Sequence, residues 1–303
     1  MKIKTYQREV PKIVLGCMRI NNKNDEDVER LIETALENGI DFFDHADIYG
    51  RGESEKKFAK AVKALKLDRD KMIIQSKAAI RPGVCYDFSK EHIMKAIDGS
   101  LKRLNTDYLD FFLFHRPDPL MDVNEVSDII NELSLSDKVK SFGVSNQDAY
   151  QMNLLNTYCD NKFVVNQLQM SITHCPMIDS FVNVNIENKH AVNRDGGMFE
   201  YSILNDITLQ AWSPFQYGFF EGIFLDNDKF VELNKVIVEL ADKYQVSKEA
   251  IVVAWLLRLP MKMQVIVGTT NFERLKRLSQ ATKFDLTRDE WYQLYLAAGK
   301  KLP

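Results

Sequence analysis

Cysteine, glycine and proline are all scarce in this 303-residue chain, at 4, 13 and 8 residues. The cysteines, Cys17, Cys85, Cys159 and Cys175, form no C-x-x-C pair, and the adjacent His174–Cys175 lacks a second ligand pair. The expectation is therefore no metal site, and free thiols in a reducing cytoplasm. So little glycine and proline excludes a collagen-like or Pro/Gly-rich disordered chain. No apolar run approaches the roughly 18 residues of a membrane span. The opening Met-Lys-Ile-Lys-Thr lacks the apolar run of about 7–15 residues found in a secretion signal. A cytoplasmic protein without a membrane partner is expected. Charge of one sign is lacking too: 40 Lys and Arg against 43 Asp and Glu leave a net −3. That gives no global electrostatic case for nucleic acid. What remains is 45% hydrophobic and 27% charged, enough to bury a core without disulfides or metal. At a soft prior of roughly 150 residues per domain, the length fits two ordinary domains or one large α/β barrel.

No sequence repeat is present, but an alternation runs from end to end. Short apolar segments occur at 13–17, 41–44, 72–77, 108–115, 139–145, 164–170, 208–213 and 265–270. Rich in Val, Ile, Leu and Phe, they read as strands buried on both faces. Between them lie amphipathic stretches with a 3–4 residue apolar rhythm: 25–39, a helix starting near Ser54, 89–104 starting at Ser89, 123–135, 147–157, 229–244 and 271–281. Two more helical stretches, 247–259 and 287–298, exceed what eight βα units need. The pattern predicts a single (β/α)8 barrel domain over 1–303 with two additional helices. The competing doubly wound open sheet would favour G-x-G-x-x-G after an early strand; Gly50 and Gly52 lack the third glycine. The long irregular stretches, 171–196 and 214–228, belong on the barrel's functional face.

In a barrel, polar residues at the C-terminal ends of strands carry the chemistry. Those ends hold Asp44, Lys77, His115, Ser145-Asn146, Gln167, Trp212-Ser213 and Gly268-Thr269-Thr270, with Tyr49 in the loop after Asp44. Taken singly, Asp44–Lys77 reads as a structural ion pair, Tyr49 as packing, and His115 before Arg116-Pro117 as a turn histidine. Their convergence on one rim favours chemistry. A buried Lys77 needs a partner, and Asp44 is available. A cation beside Tyr49 is expected to lower its pKa, suiting it to give a proton to a carbonyl oxygen that His115 orients.

These residues carry a family resemblance. DFFDHADIYGRGESEKKFAKAV resembles the aldo-keto reductase segment around the catalytic Asp and Tyr. LKRLNTDYLDFFLFHRPDP resembles the family's fourth-strand region ending in the catalytic His, and KVKSFGVSN its fifth strand. VNQLQM, LQAWSP and VIVGTTNFERL continue the match, so that it covers about residues 10–298. HRPDPLMD and AWSP are most similar to bacterial oxidoreductases of the family whose substrates are mostly unassigned. The resemblance implies Tyr49 as proton donor, Lys77 and Asp44 as its tuners, and His115 as the orienting residue for a small-molecule carbonyl substrate. It implies NADPH as cofactor. Ser145, Asn146 and Gln167 would hold the carboxamide, Trp212 would stack on the nicotinamide, and Ser213 would meet the pyrophosphate. Gly268, Thr269, Thr270 and Arg274 would hold the adenosine end and its 2′-phosphate, at the start of helix 271–281. Gly268 stands where many members carry a Lys, which leaves NAD possible. The chain ends soon after helix 287–298, which suggests an open pocket walled by Met18, Cys85, Tyr86, Phe215 and Tyr217. The resemblance also includes auxiliary subunits of ion channels, so that an NADP-binding regulatory subunit with little turnover is the alternative.

Overall fold

The computed structural model of the chain describes residues 1–302. Eight strands form a closed parallel barrel: β1 (Ile13–Gly16), β2 (Phe42–Asp44), β3 (Ile73–Ala78), β4 (Leu109–Phe114), β5 (Val139–Ser145), β6 (Phe163–Gln169), β7 (Thr208–Trp212) and β8 (Met263–Val267). Each pairs with the strand before it in sequence, and β8 closes on β1. Around them run α1 (Asp25–Glu37), α2 (Glu53–Ala64), α3 (Lys90–Leu104), α4 (Val123–Leu135), α5 (Ala149–Tyr158), α6 (Pro176–Val182), α7 (Met198–Leu204), α8 (Val231–Tyr244), α9 (Lys248–Leu257), α10 (Phe272–Leu278) and α11 (Arg288–Ala297).

The period-2 alternation of strand side chains divides the interior into two layers. On β3, Ile74 packs outward in the large core shared with the helices, whereas Ile73 packs in a smaller cluster inside the barrel with Phe42, Phe111 and Val14. The N-terminal residues join that inner cluster: Ile3 and Val10 are buried in it, and the Tyr6 hydroxyl donates to Asp110 Oδ1 at 2.6 Å. In the outer layer, Trp255 and Trp291 stack at 4.8 Å and 6°, and each indole N–H donates to the other's carbonyl. At Gly143, a Cβ would sit 2.7 Å from the Val165 carbonyl, next to a register shift between β5 and β6. Only glycine fits that approach.

Several expected boundaries move. α2 begins at Glu53, after a Gly52 with φ of 88°; Ser54 lies inside the helix, buried, and donates to the Met18 carbonyl at 3.2 Å. Ser89 caps α3 as expected. β8 starts at Met263 and stops at Val267, so Gly268-Thr269-Thr270 is loop. The stretch 271–281 divides into α10 and a 3-10 turn over Ser279–Thr282. α6 falls within the stretch 171–196 read as irregular, and α7 lies just after it; at seven residues each, they are too short to show a helical period. Loops 78–90 and 214–228 each fold into a two-stranded hairpin, Ile80–Arg81 with Cys85–Tyr86 and Gln216–Tyr217 with Gly222–Ile223. Among the described residues no helix is long and apolar enough to cross a membrane, and no cluster of His, Cys, Asp or Glu could hold a metal ion. All four cysteines are free thiols, and Cys85 alone of them is exposed.

Candidate active site

β2 and β3 lie side by side, with Asp44 opposite Gln75. Lys77, fully buried, donates to Asp44 Oδ1 at 2.6 Å and to the His45 carbonyl at 2.7 Å. Its ammonium lies 5.1 Å from the centroid of the Tyr49 ring. Burial presses the Lys77 pKa down, but Asp44 and then Tyr49 outweigh it, and the net shift is upward. Lys77 therefore stays charged. Tyr49 opens a tight turn in which Gly50, Arg51 and Gly52 all have positive φ. A Cβ at Gly50 would lie 2.8 Å from Asn21, so this left-handed turn also needs the missing side chain.

The expected lowering of the Tyr49 pKa is overturned. Burial pushes it up, Lys77 pulls it down, Asp44 pushes it up again, and the sum is upward. Desolvation penalises a phenolate more than one paired cation can offset. The phenol accordingly keeps its proton at neutral pH. His115 sits edge-on to Tyr49, ring centroids 6.0 Å apart at 82°. Burial, then Lys77 and Arg116, hold its pKa well below the usual value, so the imidazole is neutral and carries one N–H donor.

Beneath Asp44 runs a column of side chains that sequence reading passed over, apart from Gln167. Gln75 Nε2 donates to Asp44 Oδ1 at 2.6 Å and to Gln210 Oε1 at 2.9 Å. Gln167 Nε2 donates to the same two atoms, both at 3.0 Å. Gln210 Nε2 donates to Gln75 Oε1 at 3.1 Å and Gln264 Oε1 at 2.9 Å, and Gln264 ends the column on the Pro11 carbonyl at 2.7 Å. All four glutamines are buried. The sequence signal was a single amide within each apolar strand, in MIIQSK, LQAW and MQVIV.

A cavity of about 400 Å³ opens over this cluster, lined by Asp44, Tyr49, His115, Ser145, Asn146, Gln167, Trp212, Ser213, Gly268, Thr269, Arg274, Met18 and Phe215. Thr270, Cys85, Tyr86 and Tyr217 do not line it. Cys85 and Tyr86 lie exposed on the outer strand of their hairpin, and Tyr217 packs against Phe230, 5.1 Å between centroids. Lys77 lies below the cavity wall, reaching it through Asp44 and Tyr49. Ser145 Oγ donates to the Gln167 carbonyl at 2.9 Å and accepts from Asn146 Nδ2 at 2.8 Å. Asn146 Oδ1 accepts from the Trp212 indole at 3.1 Å. Asn146 and Ser213 both hold positive φ, 57° and 52°, the kind of backbone strain that clusters at functional sites. Phe220 stacks on Trp212 at 5.9 Å and 26°. At the far end, Asn271 caps α10 by accepting from the Arg274 amide, and Arg274 Nε lies 3.4 Å from Glu249. The expected helix-start site is therefore partly filled by Asn271, leaving the Arg274 side chain as the cation there. Arg19, Arg116 and Glu249 also line the cavity; as isolated charges in loops or on a helix, they carried no motif.

The chain is 32% identical to 6-dehydroglucose reductase of Agrobacterium fabrum over 308 residues, covering 97% of this chain and 96% of that one. It is 33% identical to the uncharacterized oxidoreductase YcsN of Bacillus subtilis, covering 96% of both. The crystal structure of an aldo-keto reductase from Klebsiella pneumoniae in complex with NADPH superposes with a TM-score of 0.78 at 21% identity, covering 100% of this chain and 98% of that one. Residues 12–295 match the profile of the Aldo/keto reductase family. With the barrel and its rim already described, that match means that this chain belongs to the aldo/keto reductase family.

Proposed function

We propose that the protein is an NADPH-dependent reductase of aldehyde or ketone carbonyls, with Tyr49 as proton donor. The observation that carries this reading is the Tyr49 ring beside a buried Lys77–Asp44 pair, with His115 edge-on to it; burial raises the Tyr49 pKa and lowers that of His115, which favours a phenol proton and a neutral imidazole. A carbonyl oxygen between Tyr49 and His115 takes two hydrogen bonds, which strengthen as negative charge develops on it. As the carbonyl carbon is reduced, Tyr49 gives its proton to the oxygen, and Lys77 stabilises the phenolate that forms.

The residues fit a nicotinamide cofactor. Gln167 Oε1 has no protein donor while its amide nitrogen is engaged below, which leaves an acceptor for a carboxamide N–H. Ser145 and Asn146 stand beside it, and Trp212, with Phe220 on one face, offers its other face for ring stacking. Gly268, where a Cβ would meet nothing within 4 Å, leaves room for the adenosine end. Thr269 flanks it, Ser213 meets the pyrophosphate, and Arg274 meets the 2′-phosphate. The cofactor supplies the hydride; the protein supplies position and electrostatics.

The test is oxidation of NADPH with 4-nitrobenzaldehyde. We expect turnover by the native protein, and a loss of about 100-fold or more in Tyr49→Phe, with quenching of Trp212 fluorescence by NADPH retained. A Tyr49→Phe protein that reduces the aldehyde at the native rate refutes the assignment of Tyr49. Arg274→Met is expected to weaken NADPH binding far more than NADH binding; equal loss would remove Arg274 from the 2′-phosphate.

A further inference from the structure

The charges around the cavity are not evenly compensated. Asp44 pairs with Lys77, Asp226 with Lys248, and Glu249 with Arg274 and Arg277. Each acid on the wall thus has its cation. Arg116 and Arg19 line the same cavity, and neither makes a side-chain hydrogen bond or ion pair among the described residues. Asp226 and Glu249 stand on a different part of the rim from the two arginines. Arg19 follows β1 and Arg116 follows β4, on the run of neighbouring strands that carries Asp44, Lys77 and His115. Asp226, Glu249 and Arg274 follow β7 and β8. Arg116 is half-buried and near enough to His115 to depress its pKa. A partly desolvated guanidinium with no partner is an incomplete arrangement, and its planar fork suits a carboxylate or phosphate.

We propose that the site selects carbonyl substrates bearing a second, anionic group, a carboxylate or phosphate ester, held by Arg116 with Arg19 on the opposite lip. This rests on the carbonyl-reduction reading above. Tyr49 and His115 take the carbonyl oxygen, the arginines take the anion, and the two attachments fix which carbon faces the hydride. The positive field also draws the anion in, an effect that added salt weakens.

The experiment compares 4-carboxybenzaldehyde with methyl 4-formylbenzoate, which differ in charge at nearly constant shape, with NADPH saturating. The acid is expected to have at least tenfold higher kcat/KM, mostly through KM, and the advantage should shrink in high salt. Arg116→Gln should cut kcat/KM for the acid at least tenfold more than for the ester, and Arg116→Lys should restore part of the difference. Equal use of acid and ester, or a preference that survives Arg116→Gln combined with Arg19→Gln, overturns the proposal. A matching loss of NADPH quenching at Trp212 also overturns it, because the arginines would then serve the cofactor. Turnover of neither aldehyde sinks the carbonyl-reduction reading itself.

A separate observation concerns the glutamine column. Both of its ends, the Asp44 carboxylate and the Pro11 carbonyl, are acceptors, so hydrogen bonding alone fixes every amide orientation along it. Three donors, from Lys77, Gln75 and Gln167, converge on one oxygen of Asp44. We infer that Gln75 is a positioning residue, acting through Asp44 on the Lys77–Tyr49 pair. Its amide tempers the negative charge that pushes the Tyr49 pKa up. Gln75→Met should therefore make Tyr49 a weaker acid. The expected result is a several-fold lower kcat and an alkaline limb of the kcat–pH profile displaced upward. Gln264→Met, in the same column but away from Asp44, should lower Tm and leave that limb in place. Gln75→Asn, which keeps a donor, should fall between and serves if the Met variant does not fold. A limb that stays put in both Gln75 variants overturns the inference.

Discussion

The two buried layers of this barrel follow different rules. Between strands and helices, the core is a continuous apolar mass that includes Phe43, Ile74, Phe112 and Trp255. Inside the barrel, an apolar cluster of Val14, Phe42, Phe111 and Leu113 shares the space with Lys77, Asp44 and the glutamine column. The outer layer holds the fold by area and shape; the inner one spends part of its volume on groups that must each find a partner. Buried charge and amide are poor stabilisers relative to well-packed hydrocarbon, so their presence within the bore marks where the molecule gives up stability for chemistry.

Substitutions can break or sharpen this contrast. The largest effect is expected for Lys77→Met, which strands the Asp44 carboxylate among amides. It should cost about 3–5 kcal/mol and remove carbonyl reduction, as read by chemical denaturation and NADPH oxidation. Phe112→Ala in the outer layer should cost a similar amount, about 3–5 kcal/mol. In the protein that remains folded, however, KM for NADPH should be unchanged. If both variants lose activity and stability in the same proportion, the two layers are not distinct in function. Gln264→Met leaves a Gln210 N–H without its acceptor and should cost about 1–3 kcal/mol, measurable as a lower denaturation midpoint.

A pH-dependent effect concerns Asp47, whose pKa is raised to about 7 by burial and then by Glu55. The folded protein holds this proton more tightly than the unfolded chain does. Its stabilising contribution is therefore present at low pH and is lost as pH rises from about 4 through 7. Asp47→Asn should remove that loss. The difference in Tm between variant and native protein should be more favourable at pH 8 than at pH 5, and a constant difference would refute the assignment.

The outer layer was legible in sequence because it obeys periodicity. β5 runs over Val139–Ser145 as its apolar pattern predicts, and Ser89 caps α3. The residues of the catalytic cluster were legible because a Lys, an Asp and a His at strand ends break that pattern. The glutamine column was harder to see. A lone Gln in an apolar strand reads as a tolerated exception until four strands are closed into a ring, and closure is a tertiary fact. The direction of the Tyr49 shift failed for a related reason: spacing reveals the neighbouring cation but not how little water reaches the phenol. Cys85, Tyr86 and Tyr217 do not reach the cavity, although Ile80, Gln216 and Ile223 of the same two hairpins line it; sequence position does not tell which hairpin residues face inward.

The paired indoles of Trp255 and Trp291 have one further consequence. Of the chain's three tryptophans, these two are locked face to face in the outer layer, and Trp212 alone stands on the cavity wall. The protein thus carries two optical reporters in one emission band. Quenching at Trp212 follows occupancy of the cavity, while the red shift of the stacked pair waits for the helices to part. A single fluorescence titration, continued from ligand into denaturant, reads binding and unfolding in sequence without any label.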